Sequence, residues 1–236
     1  MIFSIHIPKT AGTSFRHALE ARYGDGLALY YGVLDPKTTD GLRVRREELA
    51  EAAARLPERG FEVLHGHFHA AHVAPLVESP SQVWTWLRDP VERTLSHYEF
   101  YRQEPLELKA LADRVKSGDV GLGAFARTKE IQEIQSRFLK GLALSELGFV
   151  GISEHFELGL SLLFGEDAPQ LKRRYNTTDR DDPVPDGKRD RIAAANIRDM
   201  QLYAEALRLF VARVAAGKAA APTRPGLVGR LLRPAG

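Results

Sequence analysis

Two hydrophobic rhythms alternate along this chain. Residues 2–7, IFSIHI, are mostly β-branched or apolar, the pattern of a strand buried on both faces in a parallel sheet. Phe15, Ala18, Leu19 and Tyr23 then keep helical spacing and Gly24 is placed to end the run, so 13–23 reads as a helix. Residues 42–56, LRVRREELAEAAARL, predict a second helix stopped by Pro57, and FEVLHGH, 61–67, predicts a second strand. QVWTWL, 82–87, is a third strand. It runs into Arg88-Asp89-Pro90, where the proline sits as a first-turn residue opening the helix VERTLSHYEFYRQE.

The middle of the chain, about 106–145, reads as mostly helical, with Gly118, Gly121, Gly123 and Gly141 as punctuation. FVGI, 149–152, is a short buried strand leading through Ser153 into a helix over 154–164. Residues 172–191 are polar and proline-bearing and read as a loop. An apolar stripe through Ile192, Ile197, Met200, Tyr203, Leu207, Phe210 and Val214 marks a closing helix or helix pair over 190–216. Strands alternating with helices predict an α/β fold, a P-loop-NTPase-like open parallel sheet flanked by helices, in a single domain over 1–216. Residues 217–236 form a basic, Ala/Pro-rich tail expected to be flexible. Such sheets bind ligands at the carboxyl ends of their strands.

Composition narrows the picture. With 236 residues, 44% of them hydrophobic, the chain can bury a full core without metal or disulfide staples. It has no cysteine, which removes disulfides, thiolate metal sites and cysteine nucleophiles and fits a reducing compartment. MIFSIHIPKT lacks the basic start and apolar core of a signal peptide, and no run approaches a membrane span, so a cytoplasmic location is expected. The net charge is +2, but Lys218, Arg224, Arg230 and Arg233 supply +4 in the tail, leaving the body at −2. That balance argues against a nucleic-acid partner. Peripheral contact with a membrane and the oligomeric state stay open.

Three stretches carry chemistry. PKTAGTS, 8–14, joins a strand to a helix N-terminus, where unpaired backbone N–H groups and the helix dipole make an anion cradle. Lys9 adds a full charge, Thr10, Thr13 and Ser14 add hydroxyls, and Ala11 and Gly12 let the backbone come close. The lysine precedes the glycine, unlike the Walker A order, and no strand ending in Asp supplies a magnesium partner. In the second stretch, 86–102, Arg88 ends a strand and Ser96 follows two helical turns later, so both can face one pocket; an arginine fork suits a phosphate. The third is LHGHFHAAH, 64–72, with His65, His67, His69 and His72. A metal site, an acid–base pair and a merely polar pocket rim are all compatible with that spacing.

Taken together, strand–PKTAGTSF–helix, RDPVERTLSHYEFYR some eighty residues later, and the VG-x-x-E-x-F segment within GFVGISEHFELGLSLL resemble the carbohydrate sulfotransferases related to heparan sulfate 2-O-sulfotransferase. With YNTT at 175–178, the resemblance spans most of 2–180. It implies an enzyme using 3′-phosphoadenosine 5′-phosphosulfate (PAPS). The 5′-phosphosulfate loop then falls on Pro8 to Ser14, with Lys9 at the bridging oxygen and Thr10, Gly12, Thr13 and Ser14 at the 5′-phosphate. Arg88 and Ser96 take the 3′-phosphate, and a late loop containing Arg173, Arg174 and Asn176 to Thr178, with Arg174 and Thr177 as nucleotide contacts, closes over the donor. The family's HGH element makes His67 the base and His65 its support.

In that scheme an acceptor hydroxyl attacks sulfur in line, positioning and charge stabilisation carry the catalysis, and no metal is required. The acceptor is expected to be a glycan, glycolipid or small hydroxylated metabolite. Lacking the anchor of the Golgi members, the chain looks bacterial in type. A P-loop kinase using magnesium ATP and a catalytically silent nucleotide- or glycan-binding homologue are the alternatives. Loop regions 24–41 and 103–130 are expected to shape the acceptor site, and Arg43, Arg45 and Arg46 either meet an acidic acceptor or solvate a helix face.

Overall fold

The structure, a computed structural model, describes residues 1–103, 110–170 and 184–217. In chain order it runs β1 (Ile2–Ile5), α1 (Gly12–Tyr23), β2 (Leu27–Tyr30), α2 (Leu49–Ala53), β3 (Val63–Gly66), α3 (Ala70–Val73), β4 (Val83–Leu87) and α4 (Pro90–Gln103). It continues through α5 (Ala110–Lys116), α6 (Leu122–Phe125), α7 (Ile134–Phe138), β5 (Phe149–Ile152), α8 (Phe156–Phe164), α9 (Asp186–Ala195) and α10 (Ile197–Ala215). The five strands form one all-parallel sheet in the order β2-β3-β1-β4-β5, flanked by helices in a single domain. This is the expected α/β class, consistent with a P-loop-like open fold. Among the described residues no helix is long and apolar enough to cross a membrane.

The strand order explains where a ligand can sit. From β1 the chain moves to one side, building β2 and β3, then crosses to the other side for β4 and β5. The order reverses beside β1, and a crevice opens at the carboxyl ends there. Strands β3, β1 and β4 are buried on both faces because helices cover the sheet, which is why they read as near-continuous apolar runs. Trp86 of β4 anchors the core, with its ring 5.3 Å from Phe15, 5.3 Å from Phe149 and 4.6 Å from Phe156, centroid to centroid.

Four expected elements differ in extent. The segment 24–41, expected as a loop, contains the edge strand β2, whose Leu27 to Tyr30 pair with Val63 to Gly66. The helix expected over 42–56 is shorter: Glu48 caps a tight turn through Arg45, and the α-helix covers only Leu49–Ala53 before Pro57. Among the described residues the mostly helical middle is three short α-helices and a 3-10 turn at Leu144–Glu146, joined by turns. The loop expected through 191 ends early, because α9 starts at Asp186; Asn196, which donates to the Ile192 carbonyl at 2.9 Å, separates it from α10. The closing element is thus a helix pair.

Candidate active site

The turn after β1 is tight and strained. Lys9 and Ala11 both hold left-handed backbone conformations, at φ 71° and 64°. Such conformations cost a residue with a Cβ about 1–2 kcal/mol. Ala11, followed by the helical Gly12, turns successive N–H groups toward a shared concavity at the start of α1, an arrangement suited to anions. Gly12 is required by packing: a Cβ there would lie 1.9 Å from the His6 ring. Thr10 turns away from the concavity and donates to the Ile7 carbonyl at 2.8 Å.

The concavity opens into a cavity of about 850 Å³ at the sheet's carboxyl edge. Pro8, Lys9, Ala11, Gly12, Thr13 and Ser14 line it from β1 and α1, His67 from the end of β3, and Arg88 from the end of β4. Ser153, Glu154 and Phe156 line it after β5. Among the described lining residues Lys9, Arg46, Arg88 and Arg137 face two carboxylates, Glu130 and Glu154, so this part of the wall is basic within a body of negative net charge. The Lys9 ammonium lies over the Phe100 ring, 4.3 Å from its centroid, and Arg88 Nη1 donates to the Lys9 carbonyl at 3.3 Å. The first and second motifs are therefore in direct contact.

The third motif is split. Gly66 allows the split, because a Cβ there would lie 1.8 Å from the Tyr30 carbonyl oxygen; the adjacent His67 N–H donates to that same oxygen at 2.8 Å. His65 and His67 gather with His6: the His6 and His65 rings stack at 5.2 Å, and His6 and His67 lie 4.3 Å apart at 56°. Tyr31 closes the group at 4.8 Å from His67, and its hydroxyl shares a 3.3 Å hydrogen bond with His6 Nδ1. His69 and His72 stand apart from this group, although His69 also lines the cavity. His69 precedes α3, its N–H donates to His72 Nδ1 at 3.1 Å, and its ring lies tilted against Phe138 at 4.2 Å. Among the described residues no group of three or more His, Asp or Glu is arranged to hold a metal ion.

Burial sets the protonation of this group. His65, 1% exposed, is pushed down to about 3 by burial and then by the neighbouring His67 and Arg16 charges. His6 is held well below the usual histidine range by burial and by His67 and His65. Both are neutral at pH 7. His69 is likewise pushed down to about 4, by burial first and His72 second.

The placements do not bring every expected site residue to the cavity. His65 is not on the cavity wall; it shares a 2.8 Å hydrogen bond with Ser4, its register partner on β1, and packs behind His6 and His67. Thr10 faces inward. Ser96 is also off the wall, its hydroxyl buried within α4 without a hydrogen-bond partner among the described residues. Of the arginines in 43–46, Arg46 alone lines the cavity, whereas Arg43 lies 3.6 Å from Asp40 and Arg45 pairs with Glu48. Arg174 and Thr177 lie outside the described residues, as do Arg173, Asn176 and Thr178.

Several contributors had no sequence pattern to reveal them. Gln135 of α7 grips Arg88 with both ends of its amide, accepting from the Arg88 N–H and donating to its carbonyl, each at 3.0 Å. Asp199 of α10 accepts from the Gln135 N–H at 3.1 Å and from Ser136 Oγ at 2.6 Å. Asp89 caps α4 by accepting from the N–H groups of Val91 and Glu92, both at 2.9 Å. Glu154 accepts from the Asp89 N–H at 3.0 Å and from the Tyr203 hydroxyl at 3.2 Å. His6 lay in plain view beside PKTAGTS, and only the pairing of β1 with β3 shows that it meets His67.

No family model matches the sequence, and neither a curated protein nor a solved structure matches the chain.

Proposed function

We propose that the chain is a PAPS-dependent sulfotransferase acting on a hydroxyl of a carbohydrate, glycolipid or small hydroxylated acceptor. The observation that carries this reading is the convergence of the PKTAGTS turn, Arg88 and His67 on one cavity at the strand ends, with Arg88 bonded to the Lys9 carbonyl. A bisphosphorylated nucleotide carries anions at two places. The turn with the α1 N-terminus serves one, and Arg88, fixed by Gln135, serves the other.

In the proposed step the acceptor oxygen attacks sulfur while its proton passes to a neutral His67. The sulfur–oxygen bond to the 5′-phosphate breaks, and 3′-phosphoadenosine 5′-phosphate leaves with the electron pair. Lys9 and the N–H groups of the turn meet the charge that builds on the departing oxygen. His6 and His65, both neutral, pack against the base without adding charge beside it.

Calorimetric titration tests the nucleotide side. Micromolar or tighter binding of 3′-phosphoadenosine 5′-phosphate, unchanged by EDTA, is expected. Binding of ATP that requires magnesium, with no binding of the bisphosphate, would replace this reading with a kinase.

A further inference from the structure

One buried cation has no role in the scheme above. Arg93 is 0% exposed, yet its guanidinium forms no ion pair with any carboxylate among the described residues. Instead Nη2 donates to Thr94 Oγ1 at 3.0 Å and to the Ile131 carbonyl at 3.1 Å, and Nη1 points at His97 Nδ1, 3.2 Å away. Burial and the nearby Arg88 push its pKa down to about 10 while Asp199 opposes them, so it remains a cation at neutral pH.

A guanidinium has no acceptor, so His97 Nδ1 must supply the lone pair. The ring proton then resides on Nε2, and the imidazole is neutral for as long as Nδ1 accepts that bond. His97 follows Arg93 by one helical turn and precedes Phe100 and Tyr101 on the same stripe of α4; all three line the cavity with Lys9 and Arg88. Tyr101 and Phe125 meet the imidazole edge-on, at 5.0 Å and 89° and at 5.9 Å and 85°, which fixes its plane.

We propose that His97 is a further ligand-contacting residue, a neutral Nε2–H donor to a phosphate oxygen of the nucleotide in this cavity, and that Arg93 is the positioning residue that holds it in this form. His97, rather than Ser96, is then the contact that α4 supplies. The identity of the ligand rests on the function proposed above, whereas the tautomer does not.

Long-range ¹⁵N–¹H spectra of histidine-labelled full-length protein read both parts. Wild type is expected to show His97 with its proton on Nε2, and saturation with 3′-phosphoadenosine 5′-phosphate is expected to shift that nitrogen and proton. His97→Phe keeps the aromatic contacts and should weaken binding of this nucleotide roughly 10- to 100-fold, the range for one hydrogen bond to a charged group. Arg93→Met should mix the two His97 tautomers, and Arg93→Lys, which keeps a cationic donor, should restore Nε2–H. A wild-type proton on Nδ1, or a folded Arg93→Met protein with an unchanged tautomer, overturns the positioning role. Nucleotide bound without any change at His97 overturns the contact alone. Failure of the wild type to bind the nucleotide overturns the contact and the functional reading together, leaving the tautomer to its own spectrum.

Discussion

The two walls of the cavity are held in place by different means. On the sheet side the backbone itself is fixed by the ladder. His6 N–H donates to the Gly66 carbonyl and His67 N–H to the Tyr30 carbonyl, each at 2.8 Å, and Ser4 sits in register with His65. On the helical side α7 has no ladder to join. Buried side chains position it: Gln135 on Arg88, Asp199 on Gln135 and Ser136, and Asn196 Oδ1 on the Glu133 N–H at 2.9 Å. A side chain on the first wall can therefore be spent on chemistry. On the second wall the polar side chains are the scaffold, and removing one leaves buried partners unsatisfied.

The contrast breaks first at His67. His67→Ala should lower kcat about 10²–10⁴-fold, the usual loss for a removed general base, with a thermal midpoint within a few degrees of wild type. A variant with full turnover at saturating donor and acceptor would remove His67 from the mechanism. Acid should act on the sheet side, at and behind this wall, through stability. Histidines of the unfolded chain take up protons below about pH 6.5, whereas folded His6 and His65 resist protonation. The unfolded state then binds more protons, so stability falls as pH drops through 6.5, by up to about 1.4 kcal/mol per pH unit for each histidine. For His65 the loss continues toward its folded value of about 3. Urea titrations at pH 7, 6 and 5 should show this, and a Ser4→Ala/His65→Leu double variant should flatten it by one histidine's share. An equally steep profile in that variant would contradict the assignment.

The helical wall should respond differently. Gln135→Ala leaves the Arg88 N–H and carbonyl without their buried partners and should cost about 1–3 kcal/mol of stability while also weakening nucleotide binding. Loss of one without the other would separate the clamp from the site. The smallest effect is expected in the turn: Ala11→Gly removes a left-handed strain and should stabilise the fold by up to about 1 kcal/mol in a urea titration. Destabilisation would show that the alanine methyl packs more usefully than its backbone is strained.

The same contrast decides what could be read from the sequence. Strands β1, β3, β4 and β5 and helices α1 and α4 carry long apolar patterns with clear stops, and their motifs lie at strand ends, where an α/β fold gathers them. Strand β2 is no shorter than β1, β3 or β5, but it ends in no chemistry-bearing motif, and it becomes a strand only by pairing with β3. Helices α6 and α7, four and five residues long, have no measurable period. Gln135, Asp199 and Asn196 act across separations of 47, 64 and 63 residues, which spacing along the chain does not encode. The spacing of His65, His67, His69 and His72 left a metal site, an acid–base pair and a polar rim all open. The strand stops at Gly66: His65, still within it, faces Ser4 in the core, whereas His69 stands before α3 and returns to the cavity wall.

The central claim is transfer of a sulfuryl group from PAPS, and it is met most directly by incubating purified protein with sulfur-labelled PAPS and a panel of sugars, glycolipids and oligosaccharides in EDTA. Label should appear on at least one acceptor and fall about 10²–10³-fold with Lys9→Ala, the loss expected for one donor at the departing oxygen. No transfer to any acceptor, together with no thermal shift on adding 3′-phosphoadenosine 5′-phosphate, would contradict it.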